Sequence, residues 1–196
     1  MVTNHQIEGN CHVASQLLIM PEYPPLILDL KRVAGHSQRK RKENFEFRRW
    51  VKSDLALSDT DLDQQVQQVA AKISAKIDCT TCGNCCKSLQ ISVDNDDIEM
   101  LAASQRIAFR SFERRAVQKM PDGEKCLIRT PCDFLDGEKC TVYSSRPKAC
   151  RDFPYLHNSQ FRQRMLTAID NTEICPIAYN TLEALKVELG FRSKTK

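Results

Sequence analysis

The sequence predicts an α+β fold: a small irregular domain of several helices with a short β-hairpin or sheet, preceded by a loosely ordered N-terminal extension. Three observations support this prediction. The chain has 196 residues, of which 41% are hydrophobic, enough for one globular domain with an extension. Helical periodicity and hairpin signals begin only after residue 44, and nine of the ten cysteines lie between Cys79 and Cys175. We therefore expect an extension over residues 1–44 and a cysteine-rich domain over residues 45–196.

The expected extension contains helix breakers and leads into a basic stretch. Proline and glycine recur within it, which disfavours a long helix. From Lys31 to Lys52 the sequence has nine Lys or Arg residues against two Glu residues. Such a stretch can bind nucleic acid through phosphate contacts. A solvated linker or helix face is the favoured interpretation, so nucleic acid is a secondary candidate for a partner.

The first elements of the domain follow from local patterns. A short amphipathic element is predicted over residues 45–51. Ser58 followed by acidic residues is typical of a helix start. The helix that follows carries an apolar stripe at helical spacing, formed by Leu62, Val66, Val69, Ile73 and Ile77.

The middle of the domain combines short strands with helices. Apolar alternation predicts a half-buried strand over residues 89–93. Asp94 can cap the next helix, and a second helical segment is predicted over residues 104–119. A strand over residues 126–128 precedes a hairpin over residues 134–143, which has Asp-Gly in its turn.

The C-terminal part ends in a helix. Residues 161–169 fit either a strand or a helix. Pro176 at the first turn and Gly190 just beyond the end predict a helix from Pro176 to Leu189.

The compartment bears on the chemistry of the thiols. No stretch approaches the roughly 18–20 apolar residues that span a bilayer, so no membrane association is expected. Residues 1–30 lack the basic and apolar regions of a secretory signal. We therefore expect a cytoplasmic protein, and in that reducing compartment clustered cysteines more often bind metal or catalyse reactions than form disulfides.

The central feature is the sequence Cys79-Thr-Thr-Cys82-Gly-Asn-Cys85-Cys86. A two-residue spacing allows a turn to direct two thiolates at one ion, and Gly83 permits a tight backbone. Buried free cysteines are the weaker explanation for so dense a cluster. Because neighbouring side chains usually point in different directions, Cys85 and Cys86 are expected to serve two neighbouring metals or one larger cluster.

Four further thiols can complete such sites. Cys132 and Cys140 flank the predicted hairpin turn, and Cys150 and Cys175 follow later. The predicted metal ligands are Cys79, Cys82, Cys85, Cys86, Cys132, Cys140, Cys150 and Cys175. Eight thiols suit two zinc sites, one iron–sulfur cluster with spare thiols, or two clusters, and the residues alone do not separate iron from zinc. Cys11 and Cys126 are left out.

The combined motifs resemble a known family. The cluster at residues 79–86 is followed by Pro131-Cys132-x-Phe134-Leu135, by a segment from Cys140 to Pro154 with Arg146-Pro147 and Cys150-Arg151, and by Cys175-Pro176. This pattern is similar to that of the YkgJ-type cysteine-cluster family, the CxxCxxCC group of zinc- or iron-chelating domains, over roughly residues 45–186. The resemblance implies a small cytoplasmic bacterial protein that chelates zinc or iron.

Two functions remain open at this point. The first hypothesis is a metal-binding protein that chelates zinc or iron through its clustered thiolates, which staple the irregular domain. The alternative is an iron–sulfur redox or catalytic protein, with a link to methyl transfer because a related cysteine motif occurs in flagellin lysine methylases. The chain has no glycine motif for S-adenosylmethionine, no catalytic residue is assigned, and the residues do not indicate whether it is an enzyme or which protein partner it has.

Two arginines near the thiols have competing interpretations. Arg146 and Arg151 can donate hydrogen bonds to sulfur or to an anionic ligand near a metal. Alternatively, Arg146 caps nearby carbonyls and Arg151 pairs with Asp152. Of the histidines, only His157 is near a predicted ligand, and a surface position is favoured for it.

Overall fold

The structure, a computed structural model, describes residues 22–194. None of the helices in this part of the chain is long and apolar enough to cross a membrane. The helices are α1 (Leu30–Arg39), α2 (Arg41–Ser53), α3 (Asp59–Ser74), α4 (Asn84–Ser88), α5 (Asn95–Ser104), α6 (Phe109–Ala116), α7 (Lys148–Asp152), α8 (Phe161–Asn171) and α9 (Pro176–Glu188). The strands are β1 (Val117–Lys119), β2 (Lys125–Leu127), β3 (Leu135–Asp136) and β4 (Lys139–Cys140).

The larger hydrophobic core lies among α2, α3, α8 and α9. Ser58 starts α3 by accepting a hydrogen bond from the amide of Asp61, and the apolar stripe of α3 then faces this core. Helix α9 is the central helix, since every residue from Pro176 to Lys186 is buried. The largest fully buried side chains here are Phe47, Leu62, Ile73, Phe161, Met165, Ile169 and Leu185.

A smaller core lies among α5, α6, β1 and β2. Asp94 and Asp97 form a capping box at the start of α5, which directs Ile98 and Leu101 inward. The strands β1 and β2 pair antiparallel, with Gln118 opposite Cys126. The buried residues of this core are Ile91, Val93, Ile98, Leu101, Ala102, Phe112, Leu127 and Val142.

The second hairpin is short and lies at the edge of the smaller core. Its strands β3 and β4 pair antiparallel, with Leu135 opposite Cys140. Gly137 has φ 60, a left-handed conformation that glycine adopts without a steric penalty, which explains the predicted Asp-Gly turn. Because each strand has two residues, the hairpin depends on its surroundings for stability.

The predicted α+β class is confirmed. The helices predicted after Ser58, after Asp94 and from Pro176 are present, and the ambiguous segment at residues 161–169 is helical. The strand predicted over residues 89–93 is wrong: within that segment there is one isolated bridge, from Ser92 to Cys126. The segment meets β2 only through two backbone hydrogen bonds, from the Leu127 amide to the Ile91 carbonyl and from the Val93 amide to the Lys125 carbonyl, so the pairing does not extend beyond this bridge.

The expected extension is helical over residues 30–44, in α1 and the start of α2, so a loosely ordered segment is wrong for this part. Within α1 only Val33 and Ser37 are buried, so the sequence has no apolar repeat that predicts this helix. Polar contacts hold it instead: the Asp29 side chain caps α1, and Lys40 forms an ion pair with Glu183 of α9. Residues 1–21 of the expected extension lie outside the described residues.

Candidate metal centre

The predicted ligand cysteines lie between the two cores. Cys175 is buried at the edge of the larger core, whereas Cys132, Cys140 and Cys150 pack against the smaller one. Cys82 lines a neighbouring open groove. Six of the eight thiols line one cavity of about 190 Å³: Cys79, Cys85, Cys86, Cys132, Cys140 and Cys150.

Local hydrogen bonds shape the segment that carries the first four thiols. The Asp78 side chain accepts a hydrogen bond from the amide of Thr80, which starts a 3₁₀ turn over Cys79–Thr81. Gly83 then takes φ 59 and begins α4. This left-handed residue turns the chain so that α4 brings its two cysteines to the cavity.

The sulfur atoms of Cys85 and Cys86 lie 4.0 Å apart. The two thiols therefore do not diverge in the way that their adjacency in sequence predicts, because the helical turn of α4 holds both toward the cavity. Two sulfur atoms this close can bind the same metal or two adjoining metals. Their hydrogen bond raises the pKa of Cys85 and lowers the pKa of Cys86 to about 7, so the pair shares a proton.

The second hairpin is attached to α4 by backbone contacts. The amide of Cys132 donates a hydrogen bond to the carbonyl of Cys86 at 2.9 Å. The amides of Phe134 and Val142 donate to the sulfurs of Cys132 and Cys140, respectively, which favours their thiolate forms. The hairpin thus brings two thiols to the same cavity as Cys86.

Two polar side chains position the remaining thiols. The buried carboxylate of Asp97 accepts a hydrogen bond from the amide of Lys148 at 2.8 Å, which fixes the start of α7 and so Cys150. The side-chain amide of Asn84 donates to the carbonyl of Ile174 at 2.7 Å, next to Cys175. Sequence reasoning missed both roles: Asp97 is recognisable only as a capping residue, and nothing in the sequence connects Asn84 with residue 174.

Cys86, Cys132, Cys140 and Cys150 are mutual electrostatic neighbours. Burial, followed by the charges of the other three thiols, raises the pKa of Cys150 to about 12. Burial also raises the pKa of Cys132, with smaller contributions from Cys86 and Cys140. Cys140 in turn is affected by Cys86. Every pair among the four is therefore in electrostatic contact.

Cys79, Cys82 and Cys175 are likewise neighbours of one another. Burial, with smaller contributions from the charges of Cys79 and Cys82, raises the pKa of Cys175 to about 12. Burial raises the pKa of Cys79, followed by the effect of Cys82. Cys85 lies between the two sets, since Cys79, Cys86 and Cys150 all affect it.

Arg146 lines the cavity with the thiols. Its guanidinium lies over the Tyr143 ring, with Cζ 3.8 Å from the centroid, and donates to the Tyr143 carbonyl at 2.8 Å. This is the carbonyl cap that the sequence allowed. Arg151 does not pair with Asp152, which is one of its two interpretations: its guanidinium donates to the Arg146 carbonyl and lies 3.8 Å from the Asp97 carboxylate, while Lys148 pairs with Asp152.

The donors present fit a thiophilic metal. Six thiols and the apolar side chains of Ile91, Phe134 and Val142 line the same cavity, and zinc and iron both accept thiolate ligands. Among the described residues, no three Cys, His, Asp or Glu side chains already stand in an arrangement that could hold a metal ion. Formation of a closed site therefore requires rotation of cysteine side chains.

Two cysteines, Cys126 and Cys11, are not among the predicted metal ligands. Cys126 is buried in β2, with its sulfur 4.0 Å from the Ser92 hydroxyl. It does not line the thiol cavity described above. Cys11 lies outside the described residues. His157 is exposed and stands 3.7 Å from the Asp152 carboxylate, consistent with a surface position.

The fold and the site define a small cysteine-rich α+β domain with clustered thiols between two cores. The chain belongs to the CxxCxxCC family, described as "Putative zinc- or iron-chelating domain", whose model matches residues 78–176. The match begins just before Cys79 and ends just after Cys175, so it spans all eight predicted ligands. Membership supports metal binding by the chain. No solved structure matches the chain.

Proposed function

We propose that the protein binds zinc or iron through eight cysteine thiolates arranged in two adjoining groups of four. The convergence of six thiols on one cavity is the observation that carries this proposal. The first group is Cys79, Cys82, Cys85 and Cys175. The second group is Cys86, Cys132, Cys140 and Cys150.

The second group is supported by contacts from three parts of the chain. The hydrogen bond from Cys132 to Cys86 joins the hairpin to α4. Strand pairing brings Cys140 beside the Cys132 turn, and Asp97 anchors the helix that carries Cys150. Electrostatic contact between every pair of these thiols supports one four-thiolate site.

The first group is supported by the contact between α4 and the start of α9. The hydrogen bond from Asn84 to Ile174 brings Cys175 to the loop of Cys79 and Cys82. Cys85 is assigned to this group because Cys86 completes the second and because the charge of Cys79 acts on it. Because the sulfurs of Cys85 and Cys86 are 4.0 Å apart, the two proposed groups lie next to each other.

A closed four-thiolate site has no open coordination position, so it would stabilise the domain or hold metal rather than act on a substrate. The cytoplasmic location expected from the sequence would keep these thiols reduced and available to a metal. When bound, the metal would link α4, the hairpin, α7 and α9 at one point.

An iron–sulfur cluster is the second candidate, and the adjoining of the two groups at Cys85 and Cys86 favours it. Such a cluster would make the protein a redox or catalytic one, with methyl transfer as the linked chemistry. The experiment that separates the candidates is metal analysis of anaerobically purified protein together with its absorbance spectrum.

Two equivalents of zinc in a colourless protein are expected from the first candidate. Iron with acid-labile sulfide and absorbance that dithionite bleaches would support the second. Protein that retains neither metal after expression in supplemented medium, and takes up neither when reduced and titrated, would contradict both.

A further inference from the structure

Arg146 occupies a distinctive place among the charged residues of the cavity, and the inference drawn from it rests on the proposed function. The cavity lining includes the cations Arg146 and Arg151 and the acid Glu138. Arg151 lies 3.8 Å from the Asp97 carboxylate, and Glu138 lies 3.8 Å from Lys87. Among the described residues, by contrast, no carboxylate is within ion-pairing distance of Arg146.

The Arg146 guanidinium is held in a fixed orientation. Its stacking on the Tyr143 ring and its hydrogen bond to the Tyr143 carbonyl fix the plane of the group. Neither contact neutralises the positive charge, because the ring and the carbonyl carry no net charge. The side chain therefore brings a fixed, uncompensated cation to the wall of the thiol cavity.

Arg146 faces thiols of both proposed groups. Its side chain lines the same cavity as Cys79 of the first group and as Cys140 and Cys150 of the second. Four thiolates around one divalent ion leave a net charge of about −2, which is costly in a cavity lined by apolar side chains. A fixed cation at the wall lowers that cost.

We propose that Arg146 is the counter-charge of the thiolate site: a positioning residue that binds no metal itself but strengthens metal binding in both groups. Tyr143 contributes by holding the guanidinium against the cavity. The role requires a positive charge at this place, so lysine should substitute for arginine in part and a neutral side chain should not.

The test compares Arg146→Gln and Arg146→Lys in the full chain. Arg129→Gln is the matched control, because it removes an equal charge from an arginine that is 72% exposed and pairs with Asp133. Each reduced protein is titrated with Zn²⁺ in competition with a chromogenic chelator, at low and at high salt. Thermal unfolding of the metal-free proteins, followed by circular dichroism, reports any structural effect of the substitutions.

The expected result is a loss of about 10–100-fold in Zn²⁺ affinity for Arg146→Gln, the usual range for residues that support ligands. Arg146→Lys should recover most of the lost affinity, and Arg129→Gln should bind Zn²⁺ as tightly as the unmodified chain. High salt should reduce the difference in affinity between Arg146→Gln and the unmodified chain. Equal affinity of Arg146→Gln and the unmodified chain would overturn the proposal. So would equally weak binding by both Arg146 variants with lowered metal-free stability, since stacking alone would then explain the loss. An unmodified chain that binds no Zn²⁺ would contradict the proposed function itself.

Discussion

Gly83 lies directly against the backbone of Glu138: a Cβ atom on Gly83 would stand 2.8 Å from the carbonyl oxygen of Glu138. The first residue belongs to the loop of the first four thiols and the second to the turn of the second hairpin. This close approach brings the hairpin against the loop that carries the first thiols, at the wall of the same cavity. The absence of a side chain at residue 83 is therefore a requirement of the site's geometry, in addition to the left-handed conformation.

We predict that Gly83→Ala destabilises the protein more than Gly137→Ala. Both glycines are left-handed, with φ 59 and 60, so both substitutions cost about 1–2 kcal/mol in backbone strain. At Gly137 nothing lies within 4 Å of the added Cβ, whereas at Gly83 the hairpin backbone must move. Urea unfolding of the metal-loaded proteins measures the difference, and equal losses would show that the close approach has no energetic consequence.

Paired cysteine substitutions should each remove part of the bound metal. Cys79→Ser with Cys82→Ser is expected to abolish binding in the first group, and Cys132→Ser with Cys140→Ser in the second. Each double variant should retain about half of the metal, because the other group keeps its four ligands. Metal analysis after gel filtration provides the measurement. Cys126→Ala is the control, and complete loss of metal from either double variant would indicate one shared cluster.

Metal removal should loosen the thiol region and spare the larger core. The helices α3, α8 and α9 bury Leu62, Met165 and Leu185 without any contribution from a metal. The second hairpin has two residues in each strand and needs the site for its stability. After chelation we expect most of the far-ultraviolet circular dichroism to persist, while amide exchange accelerates at residues 79–88 and 132–150. Loss of protection throughout α3 and α9 would contradict this expectation.

Metal affinity should rise with pH. Burial raises the pKa of Cys150 and of Cys175 to about 12, so these thiols are protonated near neutrality and must lose protons when metal binds. Binding should therefore release several protons per ion and weaken as pH falls from about 9 to about 6. Calorimetry in buffers of different ionisation enthalpy counts those protons. A pH-independent affinity would mean that the thiols are not the ligands.

The ion pairs of Lys186, one with α2 and one within α9, should contribute measurably to folding. Lys186 is buried and donates to Glu43 and to Glu183, at 2.6 Å in each case. Lys186→Met should cost about 3 kcal/mol, near the lower limit for a broken buried pair, because Lys40 still contacts Glu183. Removal of the exposed pair between Arg41 and Asp170 by Arg41→Gln should cost less than about 1 kcal/mol. Denaturant unfolding compares the two, and equal small losses would show that Lys186 adds little.

The elements that sequence predicts well are those whose determinants are local. The Ser58 cap, the Asp94 capping box, the Asp-Gly turn and the Pro176 start are each encoded within a few residues. Helix α1 is different, because only Val33 and Ser37 are buried and the helix is held by contacts with α9. No local pattern encodes such contacts, so the sequence predicts loose order there.

The same distinction between local and distant determinants applies to the thiol site. Clustering and the family pattern are enough to propose eight thiols as ligands. Their proposed grouping depends on a hydrogen bond from Cys132 to Cys86 and on one from Asn84 to Ile174, contacts between segments far apart in the chain. Cys85 and Cys86 do not diverge as their adjacency predicts, because α4 holds both sulfurs toward the same cavity, 4.0 Å apart.

The place of Cys175, at the residue before α9, has a consequence for biosynthesis. The chain leaves the ribosome from its N-terminus, so the proposed second group, which ends at Cys150, emerges before α8 and α9 can complete the larger core. The proposed first group is complete only with Cys175, which directly precedes α9, the helix that completes that core. The second group would then bind its metal ion first, while the chain is still being made. The first group would bind its ion last, after the larger core has formed.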